Sequence, residues 1–223
     1  MKKVIFLFLL FFSVFFIYAG DVSNFVILGF SSDGTMFAFG IHGVKDKTYQ
    51  AYAEIYIVDA RSNDFAEHGV FKTSPTKITY AQDSKSVFLA LQNRATPYLK
   101  KYGISQDSKE RILYSKTEDS EDNKTLMFRD FEKSDQYTVV LHAKNNNKGV
   151  SSFYITCDVL YADGSKKTYH AGHKDILRHG VKSYSIKKVL LDSSSSTLVF
   201  VIEKKEVEKD GDSVRYMVEV VRV

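Results

Sequence analysis

Cysteine is almost missing from this chain. Cys157 is the single thiol in 223 residues, so no internal disulfide can staple the fold and a buried core must hold it. Tryptophan is absent and proline occurs twice. With 44% hydrophobic and 14% aromatic residues, that composition excludes a proline-rich linker or a disordered tail. Neither sign of charge dominates: 31 basic side chains face 27 acidic ones, and the lysines are scattered among acids. The basic stripe of a nucleic-acid binder is therefore missing. Also absent are Gly-x-Ser-x-Gly, a Walker loop and a dinucleotide fingerprint. Asp33-Gly34 and Asp163-Gly164 lack the further acidic ligands of a calcium loop and read as turns.

Long apolar runs are confined to the start. Lys2 and Lys3 precede Val4 to Tyr18, which only Ser13 interrupts, and small Ala19 and Gly20 follow. That run falls short of the ~20 apolar residues of a spanning helix. Residues 1–20 are expected to be a signal peptide cleaved after Ala19 or Gly20, leaving a secreted or periplasmic protein without a membrane span. Taking Lys2 and Lys3 from the 31 leaves 29 basic groups. Residues 21–223 are expected to form a single β-rich domain.

The strand signals begin at Phe30-Ser31-Ser32-Asp33-Gly34. Glycine accepts φ > 0 and Asp bonds its own downstream backbone, which marks a turn. Alternation then sets Phe37, Phe39 and Ile41 on one face. In the next strand Ala53, Ile55 and Ile57 oppose Tyr52, Glu54 and Tyr56. Residues 60–75 read as polar and irregular, with a break at Pro75. Over Ala81 to Tyr102 the period becomes helical: Val87, Leu91, Ala95, Tyr98, Leu99 and Tyr102 recur, with Asp83 or Ser84 as cap and Gly103 just past the end. Pro97 predicts a bend near Gln92 to Asn93, and Ser86 to Leu91 as a strand is the competing assignment. Residues 105–124 read as a solvated loop holding a short strand at Arg111 to Tyr114. A weak strand at 125–131 leads into a meander: Tyr137 to Ala143, a hairpin loop at Asn145 to Gly149, Ser152 to Tyr161, a turn at Ala162 to Ser165, and Lys167 to His170. In units 28–59 and 189–221, Phe30, Phe37, Phe39, Ile55 and Ile57 align without gaps, at an offset of 161, on Leu191, Leu198, Phe200, Tyr216 and Val218. They read as an internal duplication or as coincident hairpins. The fold class is mainly β (α+β): an antiparallel sheet or sandwich with one helix packed near residues 82–102.

Phe30-Ser31-Ser32-Asp33-Gly34 with Phe37-Ala38-Phe39 resembles one blade of a periplasmic translocation-protein-type β-propeller, with Ser32 where that pattern has proline. A propeller needs at least four blades, and the helix and meander occupy their place. The same unit resembles a second pattern more broadly. Together with Ala95-Thr96-Pro97-Tyr98-Leu99-Lys100-Lys101-Tyr102-Gly103-Ile104, Tyr184-Ser185-Ile186-Lys187-Lys188-Val189 and Ser213-Val214-Arg215-Tyr216-Met217, it is similar to the bacterial predicted secreted proteins called domain of unknown function 2259. That resemblance implies export and a single domain. It implies no activity and no catalytic residues.

Two sets of residues carry candidate chemistry. His170, His173, Asp175 and His179 can converge on zinc or another divalent ion, which would suit a metal-dependent hydrolase. Their spacing matches no motif with a built-in mechanism, and ordinary histidines on a solvated loop are the alternative. His142 is a further ligand candidate within a strand. Tyr52, Tyr56 and Tyr154, with Tyr49, Tyr161 and Tyr169 beside them, suit an interaction surface for an envelope protein or glycan, unless a second layer covers them. Glu54 and Asp59 lack a paired carboxylate for glycosidase work. Cys157, alternating with Ile155 and Val159, reads as buried and inert. The expected role is a non-enzymatic binding or structural module, with no cofactor beyond that candidate metal.

Overall fold

A computed structural model describes residues 21–223 apart from 74–75, 106, 108–109, 118–123, 146–148 and 209–210. The signal segment, the break at Pro75 and the hairpin tip at 146–148 thus lie outside the described residues. Three antiparallel sheets and one helix account for the rest. The opening sheet holds β1 (Asn24–Ser31), β2 (Met36–Lys45), β3 (Gln50–Asp59), β4 (Asp64–Thr73) and the short β5 (Ile104–Ser105), in the order β4-β3-β2-β1-β5. The outer sheet runs β10-β9-β8-β7, from β7 (Thr125–Arg129), β8 (Gln136–Asn145), β9 (Val150–Leu160) and β10 (Lys166–Gly172), with β11 (Arg178–His179) also on β9. The central sheet runs β14-β13-β12-β6, from β6 (Arg111–Ser115), β12 (Val181–Leu191), β13 (Thr197–Glu208) and β14 (Gly211–Arg222). The helix α1 spans Ser84–Lys101. Mainly β with one packed helix is therefore the observed class.

The elements stack as four layers: helix, opening sheet, central sheet, outer sheet. Alternation along each strand decides which layer a residue meets. On β2, Phe37, Phe39 and Ile41 join Leu190, Val199, Val201 and Val220 of the central sheet. Their neighbour Ala38 turns to the helix, with Ala51, Ala53, Ile55 and Ile57 of β3. Small residues make room there, since a Cβ on Gly40 would lie 2.2 Å from the Phe88 ring. The central sheet is covered on both faces. Leu198, Phe200 and Ile202 meet Val139, Leu141, Phe153 and Ile155 of the outer sheet, while Val199 and Val201 point the other way. Every residue from Leu198 to Ile202 is consequently fully buried. An open stack of three sheets has no closed ring, so a propeller is not formed by the described residues.

One local expectation changes, and the helix assignment holds. Residues 64–73 form β4, because β3 offers an unpaired edge and backbone pairing tolerates polar side chains on an outermost strand. Pro97 sits inside α1, which continues to Lys101. The helix, not a strand, occupies 86–91: Asp83 caps it by accepting from the Lys85 and Ser86 N–H groups, and Val87, Phe88, Leu91, Ala95 and Leu99 bury one face.

The opening and closing units share geometry as well as pattern. Phe30 pairs with Phe37, and their offset counterparts Leu191 and Leu198 also pair. In the third strand the register slips by two: Phe39 faces Tyr56, but Phe200 faces Glu219 rather than Met217. A two-residue slip preserves the face of every side chain. The turns match with acid and hydroxyl exchanged. In the first, Ser31 Oγ donates to Asp33 and accepts from the Met36 N–H at 2.9 Å. In the second, Ser194 Oγ donates to Asp192, which accepts from the Thr197 N–H at 2.7 Å. Ser195 keeps φ 58° where Gly34 has 67°. The two turns touch, because Thr197 Oγ1 donates to the Gly34 carbonyl at 2.7 Å.

Candidate functional site

At one margin of the stack the opening sheet overhangs the start of β14, leaving a cavity of about 230 Å³. Ile41 and Lys45 of β2, Tyr52 and Glu54 of β3, Lys72 and Thr73 of β4, and Arg215 of β14 line it. Sheet register brings the first group together, since Glu54 lies opposite Ile41 on one side and Lys72 on the other. Gly43 pairs with Tyr52, and a Cβ there would lie 2.5 Å from the phenol oxygen. A bare backbone at 43 thus lets the ring lie across β2 and reach the N-terminal strap.

That strap is residues 21–23, joined to β14 by a parallel bridge between Val22 and Val214. Asp21 and Arg215 form a 2.6 Å ion pair whose side chains are 3% and 12% exposed. Arg215 Nη1 also donates to the Asp21 and Val214 carbonyls and to Ser23 Oγ. The Tyr52 hydroxyl shares a 2.7 Å hydrogen bond with Ser23 Oγ and donates to Asp21 Oδ1 at 3.2 Å. The Arg215 guanidinium stands 4.9 Å over the Tyr52 ring and Lys45 Nζ stands 5.9 Å from it. Lys72 Nζ lies 5.3 Å over the Tyr56 ring and 3.6 Å from Glu54, to which Tyr56 also donates. Burial pushes the Tyr52 phenol up, and burial followed by the bond to Glu54 does the same for Tyr56. Both phenols stay protonated and act as donors. Those donors are spent within the protein, Tyr52 and Arg215 on Asp21 and Ser23, and Tyr56 and Lys72 on Glu54.

The tyrosines separate by layer. Tyr52 is buried, and Tyr56 stacks between Phe39 and Phe65, so the central sheet covers the face on which both were expected to be open. Tyr169 is buried and bonds Tyr161. Tyr154 alone of the three candidates sits on an uncovered face, on the solvent side of the outer sheet. Its ring stacks on His142 at 4.4 Å and 8°, and His142 Nε2 bonds Thr156 Oγ1.

The histidine segment is spread over three elements. His170 is exposed on β10 opposite Thr156. His173 lies 3.7 Å from Asp175, and both are exposed. His179 is exposed on β11, paired with Val150. Among the described residues no three His, Cys, Asp or Glu side chains are grouped to hold a metal ion. Cys157 is buried in the core and burial pushes its thiol up to about 12, so it is not a nucleophile. Asp33 and Asp163 each bind their own turn. Asp59 accepts from Arg61.

Sequence reasoning missed Lys45, Lys72, Arg215 and Asp21. Nothing local links them, because the register of β2, β3 and β4, the stacking of β14 from the central sheet and a docked terminus make them neighbours. Gly43, in the row opposite Tyr52, was the one available signal of a close approach.

A family model described as predicted secreted protein, domain of unknown function 2259, matches residues 38–222. No curated protein and no solved structure matches the chain. The chain belongs to this family of predicted secreted proteins, as its motifs suggested. Among the described residues no helix is long and apolar enough to cross a membrane.

Proposed function

We propose that this member of the predicted secreted family is a non-enzymatic binding module of the cell envelope that engages a glycan on the open face of its outer sheet. One observation carries the reading. Each other broad sheet face is covered, by α1 or by a neighbouring sheet, while this one presents the stacked His142–Tyr154 pair. Beside it lies a trough of about 320 Å³ lined by Gln136, Thr138, Asp158, Lys166, Lys167 and Thr168. An aromatic plate next to amide, carboxylate and hydroxyl groups matches the two needs of a sugar ring: an apolar C–H face and a polar rim. Thr168 Oγ1 donates to Asp158 at 2.6 Å, which orients that carboxylate. The proposal also places the protein in the periplasm as a single domain whose signal segment ends before Asp21, since Asp21 is built into the fold.

The test is co-sedimentation of the exported protein with insoluble envelope polysaccharide. Tyr154→Ala and Thr138→Arg each remove part of the face without touching a core. Tyr154→Ala should weaken retention about tenfold, the worth of one aromatic contact, and Thr138→Arg should weaken it by filling the trough. Retention that neither substitution alters would overturn the reading.

A further inference from the structure

The geometry points to the helix layer as a docking surface for an anionic lipid membrane. Charge that balances over the whole chain does not balance here. Residues 77–101 carry five basic side chains, Lys77, Lys85, Arg94, Lys100 and Lys101, against the single carboxylate of Asp83. That carboxylate is turned into the start of α1, where it accepts from the Lys85 and Ser86 N–H groups. Lys101 lies 5.2 Å over the Tyr102 ring. Among the described residues Lys77, Lys85, Arg94 and Lys100 form no ion pair, and all four are exposed. The same layer pushes large apolar side chains into solvent: Ile78 is 81% exposed, Tyr80 61% and Leu89 49%. Because α1 buries Val87, Phe88, Leu91, Ala95 and Leu99 against the opening sheet, its outward row is Lys85, Leu89, Asn93 and Lys100 at helical spacing. A short 3₁₀ turn, Lys77–Thr79, runs beside it. Between them lies a groove of about 560 Å³, with Ile78, Ala90 and Arg94 lining it above the buried Val87 and Leu91.

Spacing narrows the partner. A helix rises about 1.5 Å per residue, which sets Lys85 and Lys100 about 22 Å apart along its axis. Cations spread that far cannot share one carboxylate or one phosphate. A sheet of anionic headgroups meets all of them at once, and each basic group near such a surface adds to the attraction. Apolar residues standing among the cations decide between a membrane and an acidic protein, whose charged patch offers nothing to receive Ile78. At the headgroup boundary Ile78 and Leu89 leave water, while Tyr80 keeps its hydroxyl at the polar level. The groove gives the first chain carbons of one lipid an apolar seat, with the Arg94 guanidinium beside it for the phosphate. The apolar face of α1 stays on the opening sheet, so docking is peripheral and reversible.

The exported protein is mixed with phosphatidylcholine vesicles, with and without phosphatidylglycerol, and sedimented. Binding is expected to the anionic vesicles alone and should disappear in about 1 M salt, where the screening length falls to about 3 Å. Lys85→Ala and Arg94→Ala should each weaken it about fivefold, the effect of one cation at a charged surface. Ile78→Ser, which empties no core, should weaken it about tenfold by removing an inserted apolar side chain. Lys133→Ala changes an exposed lysine in the turn between β7 and β8 of the outer sheet and should leave binding as it was. Equal binding to neutral and anionic vesicles, no binding to either, unchanged binding in both Lys85→Ala and Arg94→Ala, or an equal loss in Lys133→Ala would overturn the proposal. Retention on polyglutamate beads without retention on anionic vesicles would assign the face to an acidic protein and overturn it too. The helix layer and the Tyr154 face are at opposite ends of the stack, so either outcome leaves the glycan reading to its own test.

Discussion

Arg215→Met tests whether the N-terminal strap is part of the fold. The guanidinium it deletes is 12% exposed and faces a carboxylate that is 3% exposed, so water screens the pair little. Without it, Asp21 stays buried with the Tyr52 hydroxyl at 3.2 Å, and Ser23 loses a donor. Removing one member of a buried pair costs about 3–5 kcal/mol, because the remaining charge is uncompensated. In a chain of this size a kcal/mol moves the thermal midpoint by about 2–4 °C, so the variant should melt about 10 °C lower. Adding Asp21→Asn removes the stranded charge and keeps an acceptor for Tyr52. The double variant should recover more than half of the loss. Urea unfolding followed by circular dichroism gives both values. The reasoning fails if the single variant lies within about 1 kcal/mol of the parent, since that would place the pair in the range of exposed ones. It also fails if the double variant is no more stable than the single.

Glu219 is buried where three sheets meet. It accepts from Asn63 at 2.6 Å and lies 3.5 Å from Arg178, yet burial holds its carboxyl above the usual 4.5. The folded chain then binds that proton more tightly than the unfolded one. Stability from this group is full below about pH 4.5 and falls as pH rises toward the raised value, by up to about 1.4 kcal/mol per pH unit. Glu219→Gln should remove that slope, and urea midpoints with identical pH dependence in both proteins would refute it. Asp33 runs the opposite way: its bonds to Ser31 and Thr35 hold it at about 2. Its contribution is present above pH 4 and disappears as pH falls toward 2, so Asp33→Asn and the parent should converge in stability at acid pH; a gap constant with pH would count against it. Gly40→Ala forces a methyl to within 2.2 Å of the Phe88 ring and should cost about 1–3 kcal/mol by overpacking; an unchanged melting temperature would mean the helix has slack. Elemental analysis of the purified protein should find zinc well below one atom per chain, as His170, His173 and His179 sit on separate elements; a stoichiometric ion would restore the hydrolase.

The sequence by itself determined most of the elements and their facing. Period-two alternation at Phe37, Phe39 and Ile41, and the change to helical period from Val87 to Leu99, are local steric facts that survive any tertiary arrangement. The unbroken run Leu198 to Ile202 carried a further message: a strand with no polar side must be covered on both faces, and its sheet is the one in the middle of the stack. Family membership was legible for the same reason, being a matter of ordered local motifs. Tertiary structure alone decided what the side chains meet. Tyr52 and Tyr154 look alike in sequence, each a tyrosine on an alternating strand. One lies under the central sheet and the other faces solvent, because stacking order is set by contacts between strands far apart in the chain. β4 formed from polar residues because an edge needed pairing, which no propensity within 64–73 announces. The cavity at Arg215 depends on residues from 21 to 215 meeting through four strands and a docked terminus. Alternation names a residue's face, and only the packing of layers names its neighbour.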